Sequence, residues 1–238
     1  MEISVLYEDN HLLLVEKPVN IPVQADRTGD NDFLSMLKQD LKNRYQKPGN
    51  VFLGLVHRLD RPVGGTMVFA KTSKAASRMS DLVRRQAIER KYMAVVRGVP
   101  IQAETKLEHY LFKNTRKNKV YTVAANHQKA KKAVLDYKMI AKTEDLSLLS
   151  VQLHTGRPHQ IRVQLSANGT PIFGDQKYGQ KVNRPGQQIA LWANLLRFEH
   201  PVKKEMIEVH CPPPEERYPW SVWKDIHKGK GNLNLAIY

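Results

Sequence analysis

Short apolar runs follow one another along this chain with brief turns between them, and only two stretches carry unambiguous helical spacing, so strands must make up most of the fold. A strand from Val5, a turn at Glu8 to Asn10 and a strand from Leu12 to Val15, closed by Lys17 and Pro18, open the sequence. Val51, Phe52, Leu53, Leu55 and Val56 read as a buried strand that ends in charged residues and a turn through Gly64 and Gly65. Tyr92 to Val96 alternates up to Gly98. Residues 104 to 140 read as antiparallel hairpins, among them 119–123 and 133–140, joined by a very basic turn, and residues 148–153, 190–198 and 205–209 supply the last strands. A helix is predicted over 32–46, with Asp32 as cap and Phe33, Leu34, Leu37 and Leu41 on one face. Another is predicted over 73–88, with Ser73 as cap and Ala76, Met79, Leu82 and Val83 together. Ile161, Val163 and Leu165 fit either a strand or a helical stripe.

This order, without an internal repeat or a linker rich in Ser, Gly or Pro, implies one domain over residues 1–238. Its fold class is α+β, a mixed and largely antiparallel sheet with flanking helices. The packed core is expected over about 5–213, ended by Pro212 to Pro214, with a loose basic tail from about 224.

Lys and Arg outnumber Asp and Glu by 38 to 23, a formal charge of +15, which points to a polyanion as partner, RNA or DNA before a membrane. No apolar run reaches the roughly 18 residues of a membrane span, and the amino terminus is acidic where a signal peptide is basic. A soluble, cytoplasmic monomer is expected. Cys211 is the lone cysteine, which excludes an intramolecular disulfide and a thiolate zinc site and leaves a buried, idle thiol as the expectation.

GLVHRLDRPVGG, residues 54 to 65, places Arg58 and Arg61 on either side of Asp60. A carboxylate at the end of a buried strand is costly to desolvate unless a cation or several donors hold it. By spacing alone, a surface ion pair with Arg58 or Arg61 is the commoner outcome. HTGRPHQIRVQ, residues 154 to 164, gathers Arg157, His159 and Arg162 within six positions, beside Gln160, and guanidinium groups can take phosphate or carboxylate in bidentate fashion.

HRLDRPVGG, then KYMAVVRG, then TGRPHQIRVQL resemble the three signature segments of the RluA-like family of RNA pseudouridine synthases. The resemblance extends to Leu6-Tyr7-Glu8-Asp9, Glu16-Lys17-Pro18, NGTPIFGDQKYG at 168 to 179 and LWANLLRFEHP at 191 to 201, nearly the whole chain from Val5 to about Pro213. It implies a pseudouridine synthase fold with a central RNA-binding cleft. It also implies that Asp60 is the catalytic carboxylate, Tyr92 the active-site tyrosine, Arg162 the arginine paired with the acid, and Arg58 the arginine that can enter the RNA stack once the target base has left. The chain departs from the family in two places: Val63-Gly64-Gly65 replaces a Thr-Ser-Gly, and Gln164 stands where His is common. The small RNA-binding module that many relatives carry in front of the catalytic domain is expected to be missing.

Isomerising uridine to pseudouridine neither gains nor loses atoms, so no cofactor or metal is demanded, and no Walker loop, GxGxxG or spaced Cys and His ligands occur. Asp60 could attack sugar or base, or abstract a sugar proton. Arg162 would hold it ionised, and Tyr92 would lie on the uracil and take the proton from carbon 5. Arg61, Arg157, His159 and Gln160 are expected RNA contacts, and His57 and His159 can equally serve as hydrogen-bonding scaffold. Lys129, Lys131 and Lys132, in the densest basic stretch (113 to 132), are expected to follow phosphates. The competing class is a non-catalytic RNA-binding or ribosome-associated protein of the same fold.

Overall fold

The computed structural model describes residues 2–26 and 28–224, and the tail expected beyond 224 lies outside them. In chain order its elements are β1 (Val5–Glu8), β2 (Leu12–Lys17), α1 (Phe33–Arg44), β3 (Gly54–Leu55), β4 (Gly64–Ala70), α2 (Ser73–Arg84), β5 (Glu89–Arg97), β6 (Glu104–Asn114), β7 (Lys119–Val123), β8 (Lys131–Lys142), β9 (Leu146–Leu153), α3 (Gln160–Ala167), β10 (Leu191–Glu199) and β11 (Met206–His210). A 3-10 turn, Trp220–Trp223, follows. The described residues form two compact units. One contains the residues up to Glu89 together with Ala193–Cys211, and the other Arg90–Trp192 with the residues from Pro212 on.

In the first unit β2 lies between β1 and β4, antiparallel to both, with Leu12 opposite Ala70 and Lys17 opposite Gly65. Leu13 and Phe69 therefore share one face, and Leu14 and Val68 the other. Phe33 of α1 meets Phe69 edge to face on the first, while Met79 and Leu82 of α2 join Leu12, Leu14 and Val68 on the second. Burial on both faces is why β2 and β4 read as continuous apolar runs without alternation. Asp32 caps α1 by accepting the Ser35 N–H at 3.0 Å, as its sequence predicts.

Three expectations need correction in this unit. The run 51–56 makes only the two-residue strand β3, because Phe52 is exposed and Gly54 passes so close to α2 that a Cβ there would come within 2.9 Å of the Ala76 Cβ. The glycines read as a turn instead begin β4, which is buried along its whole length. Gly65 has φ +114° and a Cβ would fall 2.2 Å from the Ala193 carbonyl oxygen, so glycine alone fits there. Helix α2 is capped by Thr72 in place of Ser73, and stops at Arg84, where Gln86 turns left-handed and the Ala87 N–H returns to the Leu82 carbonyl.

The second unit is an antiparallel sheet in the order β5-β9-β8-β6-β7. The ambiguous segment is helical: α3 covers one face of the sheet, where Val163 packs on Leu111, Val120 and Ala133. Trp220 and Trp223 are buried beyond the proline run at 212–214, so packing continues past the boundary expected there.

Lys17, the last residue of β2, is wholly buried. Its Nζ donates to the carbonyls of Pro18 (2.7 Å), Arg61 (3.1 Å) and Val63 (2.8 Å), which engages every N–H of the ammonium group. Burial draws its pKa from 10.5 down to about 7, the Asp60 carboxylate pulls it back up, and the Arg61 charge lowers it further. Since the folded pKa lies below the unfolded one, the unfolded chain binds more protons between about pH 7 and 10.5, and this group makes the fold more stable as pH rises through that window. Lys17→Met should lose about 1–3 kcal/mol for each buried carbonyl left without a donor. It should also abolish that part of the pH dependence. Urea unfolding of both proteins across the window checks the two effects together, and equal stability at pH 7 would contradict the first.

Candidate active site

The loop that carries Asp60 is fastened on both sides. Before it, the ring Nε2 of His57 accepts the Val68 N–H at 3.2 Å, so His57 serves as scaffold, and Leu59 is buried. After it, the Val63 N–H closes on the Asp60 carbonyl at 2.9 Å, Val63 is buried, and the Arg61 and Val63 carbonyls are held by Lys17. Asp60 remains partly exposed above this frame, and Lys17 lies near enough for the two charges to interact. The two flanking arginines differ. Arg58 is exposed, whereas Arg61 binds Asp30 (2.6 Å), the Asn20 carbonyl (3.1 Å) and Thr28 (3.3 Å), and so ties its own loop to the one at 20–30. The role of Lys17 escaped the sequence reading, in which it figured only as part of Glu16-Lys17-Pro18.

In the second unit Arg162 is buried in α3 and binds Asp175 in bidentate fashion, Nε to Oδ2 at 2.8 Å and Nη2 to Oδ1 at 2.9 Å. Burial pushes the Asp175 pKa up, but the hydrogen bonds and charge of Arg162 and the Lys177 and Tyr178 N–H groups outweigh it, so the carboxyl stays below its ordinary range. The Tyr178 ring lies under the guanidinium at 5.3 Å. Its hydroxyl accepts the Val120 N–H (2.9 Å) and so is set to donate to Nδ1 of His159 (2.6 Å), the left-handed residue before α3. Asp175 and Tyr178 both lie within NGTPIFGDQKYG, where spacing along the chain assigns them no role. The aspartate within that segment was the available signal.

Gln160 is buried, and its amide is spent on the loop, with Oε1 accepting from Thr155 and the Arg157 N–H and Nε2 donating to the Val134 carbonyl. Its polar atoms shape the approach to α3 from within and are not presented to solvent as the expected RNA contact would be. Gln164, at the position where the family commonly has His, is likewise buried and donates to the Leu107 and Ala133 carbonyls, which anchors α3 to β6 and β8. Tyr92 is a buried residue of β5 on the sheet face shared with Val151 and Tyr137. The Arg157 guanidinium is held to the Lys132 carbonyl at 2.9 Å. Lys129, Lys131 and Lys132 are all exposed, but as neighbours in β8 the last two point to opposite faces of the sheet, and Lys132 pairs with Glu108 at 2.8 Å. Asp60 thus belongs to the first unit, and Tyr92 and Arg162 to the second.

Among the described residues no group of three or more His, Cys, Asp or Glu side chains is arranged to hold a metal ion, and no helix is long and apolar enough to cross a membrane.

Comparison with known proteins gives one consistent result. The family model described as RNA pseudouridylate synthase matches residues 11–167. Ribosomal large subunit pseudouridine synthase D of Haemophilus ducreyi is 30% identical over 228 residues, covering 90% of this chain and 68% of the relative. The uncharacterized RNA pseudouridine synthase YjbO of Bacillus subtilis is 32% identical over 218 residues, covering 90% of this chain and 74% of its own. Among solved structures, human RNA pseudouridylate synthase domain containing 4 superposes with a TM-score of 0.75 at 24% identity, over 90% of this chain and 89% of that one, and so has the same fold. The segments around Asp60, Tyr92 and Arg162, the α+β fold and these matches together assign the chain to the RluA-like family of RNA pseudouridine synthases, which are isomerases.

Proposed function

We propose that this chain isomerises uridine in structured ribosomal or transfer RNA, with Asp60 as the catalytic carboxylate, Tyr92 against the uracil and Arg162 as the cation that keeps Asp60 ionised. In this reading both units serve one cytoplasmic, monomeric catalytic domain with a central RNA cleft, and Arg58 enters the stack that the target base vacates. The observation that carries the reading is the partly exposed Asp60 carboxylate on a loop whose following backbone is gripped by a buried ammonium. Such a frame suits a group that must be aimed, because a held reactive atom avoids reorganisation during the reaction. The relatives named for the ribosomal large subunit favour ribosomal RNA.

The bond from uracil nitrogen 1 to the sugar breaks, the base turns, carbon 5 bonds to the same sugar carbon, and the proton leaving carbon 5 is balanced by one gained at nitrogen 1. Asp60 acts at the sugar or the base, and Tyr92 receives the carbon 5 proton. A uridine within folded RNA must first leave its stack, and the exposed cations offset that cost by binding phosphate.

Asp60→Asn should lower the rate at least roughly 100-fold while RNA binding persists, because the amide keeps the volume and loses the reactive oxygen. Incubation of each protein with total RNA, followed by mapping of new pseudouridines, tests this, and comparable modification by the variant would remove Asp60 from the mechanism. Wild-type activity should persist in EDTA on RNA whose fold is held by monovalent salt. A loss that one metal restores would contradict metal-free chemistry.

Arg162→Met leaves Asp175 as an uncompensated buried charge and should destabilise the protein by about 3–5 kcal/mol. The double variant Arg162→Met/Asp175→Leu should recover most of that stability but not the isomerisation. Recovery of both would make Arg162 purely structural.

A further inference from the structure

Strand alternation gives the second unit's sheet an inner face, with Leu107, Leu111 and Val120 turned toward α3, and an outer face of different character. On the outer face Tyr110 stands opposite Val123 and Lys132, and Phe112 opposite Tyr121. Tyr110 and Phe112 are half-buried, and Tyr121 is 37% exposed. The exposed His127 ring approaches Phe112 with centroids 4.8 Å apart, and the Lys119 ammonium lies 5.8 Å from the Tyr121 ring. Residues 113 to 132 contain seven lysines and arginines and no carboxylate. Of the acids nearest on this face, Glu108 pairs with Lys132 at 2.8 Å and Asp136 shares a 2.6 Å hydrogen bond with His154.

We propose that this outer face of β6, β7 and the 124–130 loop is a stacking platform for an unpaired RNA segment flanking the target uridine. The proposal rests on RNA being the substrate. Rings set on adjacent strands offer π-faces on which unpaired bases can stack, and the cations around them can take the phosphates of the same segment. A duplex hides its base faces, so a paired stem gains nothing from the rings. A protein partner of this patch would have to leave its excess of lysines unmatched or be strongly acidic.

The test uses the full chain and a ten-nucleotide unstructured RNA carrying 4-thiouridine. Ultraviolet cross-links on the wild-type protein should map to Phe112, Tyr121 and their neighbours. Tyr121→Leu and Phe112→Leu keep apolar bulk without a ring, and each should weaken binding of the same RNA roughly 5- to 100-fold, while Tyr121→Phe should bind as the wild type does. Unchanged affinity in folded Leu variants, or cross-links confined to other surfaces, overturns the platform. If only Lys119→Gln weakens binding, the face is a phosphate contact and the stacking idea is again overturned. Mapping of pseudouridine in total RNA is read separately. A wild-type protein that makes none but still stacks the oligonucleotide would refute the proposed reaction and leave the platform standing.

Discussion

A single buried ammonium fixes the backbone that follows Asp60. Lys17 ends a strand enclosed on both faces, and three backbone carbonyls surround its nitrogen, two of them from the residues just after Asp60. An unpaired ammonium in such a place would be prohibitive, and three unpaired carbonyls nearly so. Each therefore requires the other, and the loop has one low-energy path past the end of β2. Gly65 completes the arrangement, since any side chain there would strike the backbone of β10 at Ala193.

The second unit applies the same logic to a guanidinium. Arg162 sits in a helix with little solvent around it, and Asp175 takes two of its nitrogens in one plane. Backbone N–H groups hold Asp175 in turn, and Tyr178 and His159 continue the chain of contacts to the start of α3. A group held this way keeps its charge and direction when an RNA arrives. The buried amides of Gln160 and Gln164 secure the start and the middle of that helix against neighbouring strands. Gln164 thus fills a family position with a different residue, whose Nε2 holds the Leu107 and Ala133 carbonyls.

The positive charge of the chain is not one uniform surface. Arg61 is spent on the loop at 20–30, Arg157 on a backbone carbonyl and Lys132 on Glu108, while Arg58, Lys129 and Lys131 face solvent. Counting cations along the sequence overstates what is available to phosphate, because some of them are the means by which loops are fixed.

How much was legible beforehand follows from the range of the forces involved. Local patterns were readable: Asp32 as a cap, the hairpins from 104 to 140, and the motif segments that carry Asp60, Tyr92 and Arg162, since these depend on spacing within a few residues. The buried run 64–70 was misread because a strand covered on both faces has no alternation, and its opening glycines imitate a turn. Residues 160–167 were ambiguous because a helix buried nearly all round shows no clear stripe. The sequence by itself determined the family and the reaction class, both of which are carried by short ordered segments. Only the tertiary structure decided that Lys17 reaches 44 and 46 residues ahead to grip the loop at Arg61 and Val63, and that Arg162 meets Asp175. Partnerships between buried charges are set by what happens to lie adjacent once water is excluded, and no spacing rule along the chain encodes that.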